Sequence, residues 1–218
     1  MKTLIHTTLI LVVCFTSLIA EKNTVVHITG QKTPFVSQWH LKETPSNYII
    51  SGNTLLDHMH LIVHNNSVIQ WKNTRKKDKS TLIAKRKNNQ IIITGESNNT
   101  PFEKIIPVNQ YPWYQTPGFL LKPFILSDKH VHRFFMLRTT TLAPILFEVK
   151  KIKKETLSIN NTSYKTIKVH LYPASFLRYF WKASLWFDET TGQVIKYDGI
   201  LNGPSKDSFL ITYIEKNK

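Results

Sequence analysis

The chain has 218 residues, of which 29 are Lys or Arg and 14 are Asp or Glu, and its formal net charge at pH 7 is +15. Hydrophobic residues make up 41% of the chain, which argues against intrinsic disorder and is enough to build a core. The single cysteine, Cys14, excludes a disulfide scaffold and any cysteine-rich zinc or redox motif.

The N-terminus has the pattern of a secretory signal peptide. Lys2 gives a positive start, the run Leu4–Ile19 is largely apolar, and Ala20 precedes a polar stretch. The apolar run is shorter than the roughly 20 residues that a membrane-spanning helix needs, so we expect cleavage after Ala20. The sequence therefore predicts a signal peptide over residues 1–20 and a single β-rich domain over 21–218. The mature protein is expected outside the cytoplasm, in the periplasm or cell envelope, or secreted.

Short apolar runs separated by turn residues follow along the mature chain, and several alternate with a period of two. Alternation is clearest over Thr166–Leu171, where Ile167, Val169 and Leu171 share one face of a strand. Turn segments rich in Asn, such as Asn65-Asn66, separate the runs and indicate hairpins. The strand candidates are Asp57–Val63, Val68–Trp71, Thr81–Ala84, Ile91–Thr94, Phe147–Ile152, Tyr164–Tyr172, Ser184–Phe187, Val194–Tyr197 and Phe209–Ile214.

Helix signals are scarce. The segment Pro112–Leu126 is the best candidate, and its prolines and Gly118 keep any helix in it short. A second short helix is expected within Ser175–Trp181. The sequence therefore predicts a mainly β fold, a curved antiparallel sheet or half-barrel with one or two short helices.

Several motifs of the central and C-terminal regions carry a resemblance to a known group. They are Tyr111–Gln115, Gly118–Leu121, Phe124–Ser127, His132–Phe135, Phe180–Trp186 and Thr191–Gly199. With the signal peptide and the long meander, the chain resembles uncharacterised exported bacterial β-sheet proteins related to the half-barrel lipoprotein carriers. The resemblance implies a fold, and no functional residue is carried over from it. In the carriers, the concave face of the sheet takes an acyl chain.

Aromatic residues are concentrated in two short segments. Stacked over a sheet, such rings line an apolar pocket for a lipid tail, or they form the core itself. The two alternatives differ in whether a cavity remains among the rings. The aromatic candidates for ligand binding are Trp113, Tyr114, Phe119, Phe124, Phe180, Trp181 and Trp186.

Basic residues cluster in the connections between predicted strands, in the blocks Lys72–Lys79, Lys85–Lys87 and Lys150–Lys154. Such blocks attract anionic surfaces, or they simply keep a protein soluble. Export argues against nucleic acid as the partner. The candidate residues for an anionic head group are Lys76, Lys77, Lys85 and Arg86.

Catalytic and metal-binding signals are weak. His58 and His60 have the spacing of two strand ligands for zinc or copper, and His130 and His132 repeat it. A metal site needs a third or fourth ligand, and only Asp57 and Asp128 stand nearby, so half-exposed strand histidines are the favoured alternative. No Gly-x-Ser-x-Gly motif and no phosphate-binding glycine loop is present. We therefore expect no enzyme, no cofactor and no metal site.

These features lead to one functional hypothesis and one alternative. The protein is expected to bind an apolar or amphiphilic anionic ligand, a lipid or a lipoprotein-like molecule, in the concavity of the curved sheet. Its partners would be an anionic lipid or amphiphile, or a membrane surface. The alternative is a non-catalytic structural or interaction module of the envelope, with a basic face and no cavity.

Overall fold

The computed structural model of the protein describes residues 21–29, 35–43, 47–54, 56–97, 100–139, 141–159, 161–199 and 209–216. The signal peptide predicted over residues 1–20 lies outside these ranges. The strands are β1 (Glu21–Thr29), β2 (Phe35–Glu43), β3 (Asn47–Asn53), β4 (Asp57–His64), β5 (Ser67–Arg75), β6 (Thr81–Lys87), β7 (Gln90–Ser97), β8 (Thr100–Pro107), β9 (Val131–Leu137), β10 (Pro144–Ile159), β11 (Thr162–Pro173), β12 (Ala183–Asp188), β13 (Val194–Gly199) and β14 (Phe209–Lys216). The helices are α1 (Pro117–Leu120), α2 (Lys122–Ile125) and the 3-10 helix η1 (Phe176–Tyr179).

All of these strands belong to one antiparallel sheet. Its order is β8-β7-β6-β5-β4-β3-β2-β1-β14-β13-β12-β11-β10-β9, so β8 and β9 are its edges in the described part of the chain. The first and last strands pair with each other, with Val25 opposite Ile214, and this pairing joins the two meanders. The predicted fold class, a mainly β curved antiparallel sheet with short helices, is confirmed.

The Asn-rich segments form tight hairpin turns, as predicted. Asn65 and Asn66 connect β4 to β5 with φ angles of 46° and 56°, and Asn88 begins the β6–β7 turn with φ 54°. Asparagine adopts this left-handed backbone more readily than other non-glycine residues. Two consecutive positive φ angles fit the turn type whose twist matches that of the adjoining strands. These residues therefore fix the register of the first meander.

One face of the sheet is apolar and carries the core. Register places Ile50, Leu61 and Trp71 next to one another across β3, β4 and β5, and all three are buried. On the other half, Val169 pairs with the equally buried Leu185. We call this the concave face and the opposite one the convex face.

The segment 108–130, here called the insert, connects β8 to β9 and contains α1 and α2. Each helix is one turn long and has a proline in its first turn, which explains why neither extends further. Leu120, Leu121 and Ile125 of the insert are buried in the core cluster with the concave strands. The short helices predicted within Pro112–Leu126 and Ser175–Trp181 are thus both confirmed.

The two ends of the sheet carry different connections, because consecutive strands run in opposite directions. The turns at Asn65-Asn66 and Asn88-Asn89 lie at one end, together with the start and finish of the insert, and we call this the insert end. The connections 76–80, 138–143 and 174–182 lie at the other, far end. No helix in the described part of the chain has the length and apolar character needed to cross a bilayer.

Candidate functional site

The insert runs along the inside of the curved sheet and links its two halves. At Trp113 its carbonyl accepts a hydrogen bond from Val68 N of β5 at 2.8 Å. On its other side, Tyr114 N donates to Phe135 O of β9 at 2.9 Å, and Phe135 N donates to Pro112 O at 3.0 Å. Because β5 and β9 are far apart in the strand order, these bonds require the sheet to curl around the insert.

Gln115 fixes the insert to β9. Its Oε1 accepts hydrogen bonds from Trp113 Nε1 at 3.0 Å and from Leu137 N at 3.1 Å. Its Nε2 donates to Leu137 O at 3.0 Å. The side chain is only 8% exposed, so these bonds replace water for three buried groups. Sequence reasoning missed this role, since a lone glutamine carries no signal of its buried partners.

The predicted aromatic residues of the insert pack as a stack of rings. Tyr114 stacks on Phe134 with ring centroids 4.8 Å apart, and Phe134 stacks on Phe147 at 6.0 Å. Trp113 stacks on Phe135 and Phe124 stacks on His132. Each of the three predicted residues Trp113, Tyr114 and Phe124 is at most 5% exposed. At the insert end these rings therefore form part of the core.

Phe119 occupies a different position, over the middle of the sheet. Its ring lies 5.2 Å from that of Trp39 on β2. Trp39 in turn lies on the backbone of Gly52 in β3, where an added Cβ would come within 2.4 Å of the indole ring. Only glycine allows this close approach, so Gly52 is needed to seat the indole against the sheet.

A titratable pair lies among the rings at the insert end. His132 Nε2 and the Tyr114 hydroxyl are 3.2 Å apart, and the His132 ring also stacks on Phe124. Burial raises the pKa of Tyr114 to about 12. Burial, with a smaller contribution from the charge of Lys129, lowers the pKa of His132 below its ordinary value. The pair is therefore neutral at physiological pH.

Arg86 holds the start of the insert in place. Its guanidinium donates to Tyr111 O at 2.9 Å and to Asn109 O at 3.0 Å, and it lies over the ring of Phe135. Burial lowers the pKa of Arg86, although a guanidinium stays charged. These donors already satisfy backbone carbonyls, so Arg86 has a structural role in addition to the head-group role predicted for it.

The predicted basic residues lie at opposite ends of β6. Lys76 and Lys77 are in the connection at the far end, where Lys76 Nζ donates to Thr54 O. Lys85 and Arg86 lie near the end of β6 at the insert end, and Lys85 is exposed on the convex face. A strand of seven residues spans roughly 20 Å. The structure therefore does not bring these two blocks together around one head group.

Trp186 lies on the convex face, between the concave residues Leu185 and Phe187. Its ring is covered by Lys168 Nζ at 4.6 Å and by Lys196 Nζ at 4.8 Å. Its Nε1 donates to Glu155 Oε1 at 2.6 Å. The predicted residue Trp186 is thus separated by the sheet from the insert and its rings.

Apolar side chains at the far end of the concave face are only partly buried. Phe102 and Leu82 flank Gly95 across three neighbouring strands, and Met136 pairs with Ile145 on the other half. Their neighbours nearer the insert end, such as Leu61, are fully buried. The half-buried residues of this set are Met59, Leu82, Phe102, Met136, Ile145 and Trp181. The alternation of apolar and polar residues places the strand residues of this set on the apolar face, but the sequence alone does not show which end of the sheet the insert covers.

Two polar atoms of β5 also face inwards without partners. Trp71 Nε1, a donor, and Asn73 Oδ1, an acceptor, make no hydrogen bond with the described part of the chain, although both atoms are buried. The two residues are adjacent on the concave face, and Asn73 pairs with the half-buried Leu82. A polar group entering from the far end would find both a donor and an acceptor there.

The second aromatic segment is exposed. It contains η1 and its flanking residues, and we call residues 175–181 the η1 turn. Phe176, Tyr179 and Phe180 of this turn are 71–77% exposed. Trp181, which follows, is half-buried and makes an edge-on contact with Phe147 at 5.5 Å between ring centroids. The predicted residues Phe180 and Trp181 therefore differ, since only Trp181 touches the core.

The histidine pairs do not meet. His58 and His60 lie on the convex side of β4, whereas His132 faces the insert from the edge strand β9. Among the described residues, no three or more His, Cys, Asp or Glu side chains are grouped so that they could hold a metal ion.

A scan against models of known protein families and a search of curated proteins find no match. Among solved structures, the chain is similar to a β-barrel-like protein of a domain of unknown function from Brucella abortus, with a TM-score of 0.54 and 6% identity over 91% of this chain and 97% of that one. The hypothetical lipoprotein YmcC from Escherichia coli has a TM-score of 0.43 and 12% identity over 92% of this chain and 89% of its own. A LolA superfamily protein from Nitrosomonas europaea has a TM-score of 0.26 and 11% identity over 91% of this chain and 85% of its own. At these identities the similarity to the Brucella protein shows that the two chains share a β-barrel-like fold, in agreement with the fold that the sequence motifs imply.

Proposed function

We propose that this protein binds the apolar tail of an anionic lipid or lipoprotein-like amphiphile in the concavity of its sheet, entering from the far end. The observation that carries the proposal is the set of half-buried apolar side chains on the concave face at that end. The insert covers the apolar wall near the insert end, whereas Met59, Leu82 and Phe102 keep part of their surface accessible. Each methylene removed from water there contributes about 0.8 kcal/mol to binding.

Polar groups at the same end suit the head of such a ligand. Trp71 Nε1 and Asn73 Oδ1 offer one donor and one acceptor beside Leu82. Lys76 and Lys77 lie in the connection at the far end and add positive charge for an anionic group. Lys85 and Arg86 at the insert end are not part of this head-group site. No reaction is part of the proposal, and the signal peptide predicted over residues 1–20 would direct the protein to an extracytoplasmic lipid source.

One observation favours a second candidate, an envelope interaction module without a ligand. The stack of Tyr114, Phe134 and Phe147 and the stacked pair of Trp113 and Phe135 use the central rings as core, which reduces the space that a tail could enter. In this case the half-buried residues at the far end would be ordinary rim residues of a filled half-barrel. The two candidates differ in whether a lipid binds.

Two measurements test the proposal. The purified mature protein is extracted with organic solvent and the extract is analysed by lipid mass spectrometry, and the lipid-stripped protein is titrated with a fluorescent fatty acid. We expect bound lipid and saturable binding that weakens about tenfold in Leu82→Gln, since the leucine contributes about 1.5 kcal/mol of apolar contact. Ile83→Gln is the matched control, because Ile83 is the next residue of β6, half-buried on the convex face.

The outcomes separate the candidates. A clean extract together with no saturable titration would refute lipid binding and leave the interaction module. Equal weakening by Leu82→Gln and Ile83→Gln would refute the concave site. Circular dichroism of both variants establishes that each is folded before its affinity is compared.

A further inference from the structure

The η1 turn presents large apolar side chains to solvent at the far end. Phe176 is 72%, Tyr179 77% and Phe180 71% exposed, and Leu177 between them is also exposed. Most large exposed residues elsewhere in the described chain are isolated on strands, whereas these four lie within five consecutive positions. Contiguous exposed apolar surface of this kind marks a contact site for a protein partner or a membrane.

The turn is held in a fixed shape, so the rings project together. The Ser175 side chain accepts a hydrogen bond from Leu177 N at 3.3 Å, and Arg178 N donates to Ser175 O at 3.1 Å. Phe180 N and Trp181 N both donate to Leu177 O at 3.0 Å. Trp181 then anchors the turn to the core through Phe147. Little conformational entropy is lost when a turn already shaped in this way makes a contact.

Positive charge accompanies the rings. Arg178 lies among them and Lys182 follows them, and the sequence from 156 to 187 contains no Asp or Glu. The carboxylate of Glu148 in β10 interacts electrostatically with Arg178. This carboxylate already forms an ion pair with Arg133 at 2.7 Å and accepts a hydrogen bond from the Tyr172 hydroxyl at 2.8 Å. The surface around the turn is therefore basic, in a chain whose formal net charge is +15.

We propose that the η1 turn docks this protein onto an anionic membrane surface, with Phe176, Tyr179 and Phe180 inserted at the headgroup level. Rings flanked by basic residues match an interface that is apolar below and negatively charged at its surface. A folded protein partner would need a complementary shape, whereas a bilayer accepts protruding rings without one. This docking does not depend on a ligand in the concavity.

Vesicle co-sedimentation tests the proposal. Lipid-stripped mature protein is mixed with vesicles of phosphatidylcholine alone or of phosphatidylcholine with phosphatidylglycerol. We expect binding to the anionic vesicles that falls at least about tenfold in the double variant Phe176→Ser/Phe180→Ser, because each buried phenylalanine contributes more than 1 kcal/mol. The matched control is Leu126→Ser/Val131→Ser, which removes two exposed apolar residues at the insert end.

Charge is tested separately. Arg178→Gln/Lys182→Gln is expected to weaken binding to anionic vesicles by about fivefold per charge, while Lys85→Gln/Lys87→Gln at the insert end has a smaller effect. Binding that is equal on neutral and anionic vesicles, or that survives loss of both phenylalanines, would overturn the proposal. Leu82→Gln, which tests the ligand site, should bind vesicles as the unchanged protein does, so the two proposals fail independently.

A second readout does not depend on the stability of these variants. The sequence from Glu21 onwards contains no cysteine, so Phe180→Cys can carry a single polarity-sensitive fluorophore. Its emission should shift to the blue on anionic vesicles, and the same label at Ile105→Cys on β8 should not shift. A fluorophore at position 180 that stays in water while the protein sediments with vesicles would refute docking through η1.

Discussion

Removal of the Gln115 side chain should destabilise the protein more than most single substitutions do. In Gln115→Leu, Trp113 Nε1 and Leu137 N lose their acceptor and Leu137 O loses its donor. All three groups lie in buried surroundings, where an unpaired polar group costs about 1–3 kcal/mol. At 1–2 kcal/mol for each group, the free energy of unfolding should fall by about 3–6 kcal/mol, which is a large part of the 5–15 kcal/mol typical of a domain.

Urea unfolding followed by circular dichroism measures this change, and for a chain of this size it corresponds to a fall in Tm of about 10 °C or more. Gln90→Leu is the matched control, because Gln90 is exposed beside the β6–β7 turn and should change stability by less than about 0.5 kcal/mol. A loss below 1 kcal/mol in Gln115→Leu, with the control unchanged, would mean that the insert is not held to β9 through this side chain.

Two further predictions concern titratable groups at the insert end. Arg86→Lys should lower the free energy of unfolding by about 2 kcal/mol in the same urea assay, because an ammonium group cannot reach both Tyr111 O and Asn109 O. An unchanged urea midpoint would contradict the proposal that Arg86 holds the insert in place. The pKa of His132 is lowered in the folded state, so the unfolded chain binds more protons as the pH falls below 6.5 and the stability contributed by neutral His132 is lost there. His132→Phe should therefore lose less stability on acidification than the unchanged protein does. Part of the loss should remain, because burial also lowers the pKa of His170. An identical dependence of stability on pH in the variant would show that His132 does not cause the loss.

The local parts of the fold could be predicted from sequence because their causes are local. Asn65 and Asn66 favour a left-handed backbone wherever they stand between two apolar runs, and the alternation over 166–171 places Val169 and Lys168 on opposite faces. The path of the insert could not be predicted in this way. It depends on hydrogen bonds between residues far apart in sequence, such as Gln115 with Leu137 and Val68 with Trp113.

The candidate site was harder to predict for the same reason. Trp186 stands in the consecutive apolar run Leu185–Phe187, so alternation does not show that the pleat directs it to the convex face, where Lys168 and Lys196 cover it. Arg86 has the sequence context of a solvated turn residue, and its carbonyl partners belong to the insert. The separation of Lys76 from Lys85 was accessible in principle, because consecutive connections of a meander fall at opposite ends of the sheet.

The position of the insert explains why both proposed contacts fall at the far end. The insert enters beside the Asn88-Asn89 turn, and its Val108 N donates to Asn89 O at 2.8 Å, so backbone and rings occupy the concave face on that side. Half-buried apolar side chains such as Leu82 and Phe102 lie at the other side, and Trp181, which follows η1, contacts Phe147. A protein that takes a tail from a bilayer needs its opening to face that bilayer. Leu82 and Phe180 lie at the same, far end of the sheet, on its two halves, so a bilayer contacted by η1 would face the proposed opening, although each proposal is measured by its own variant.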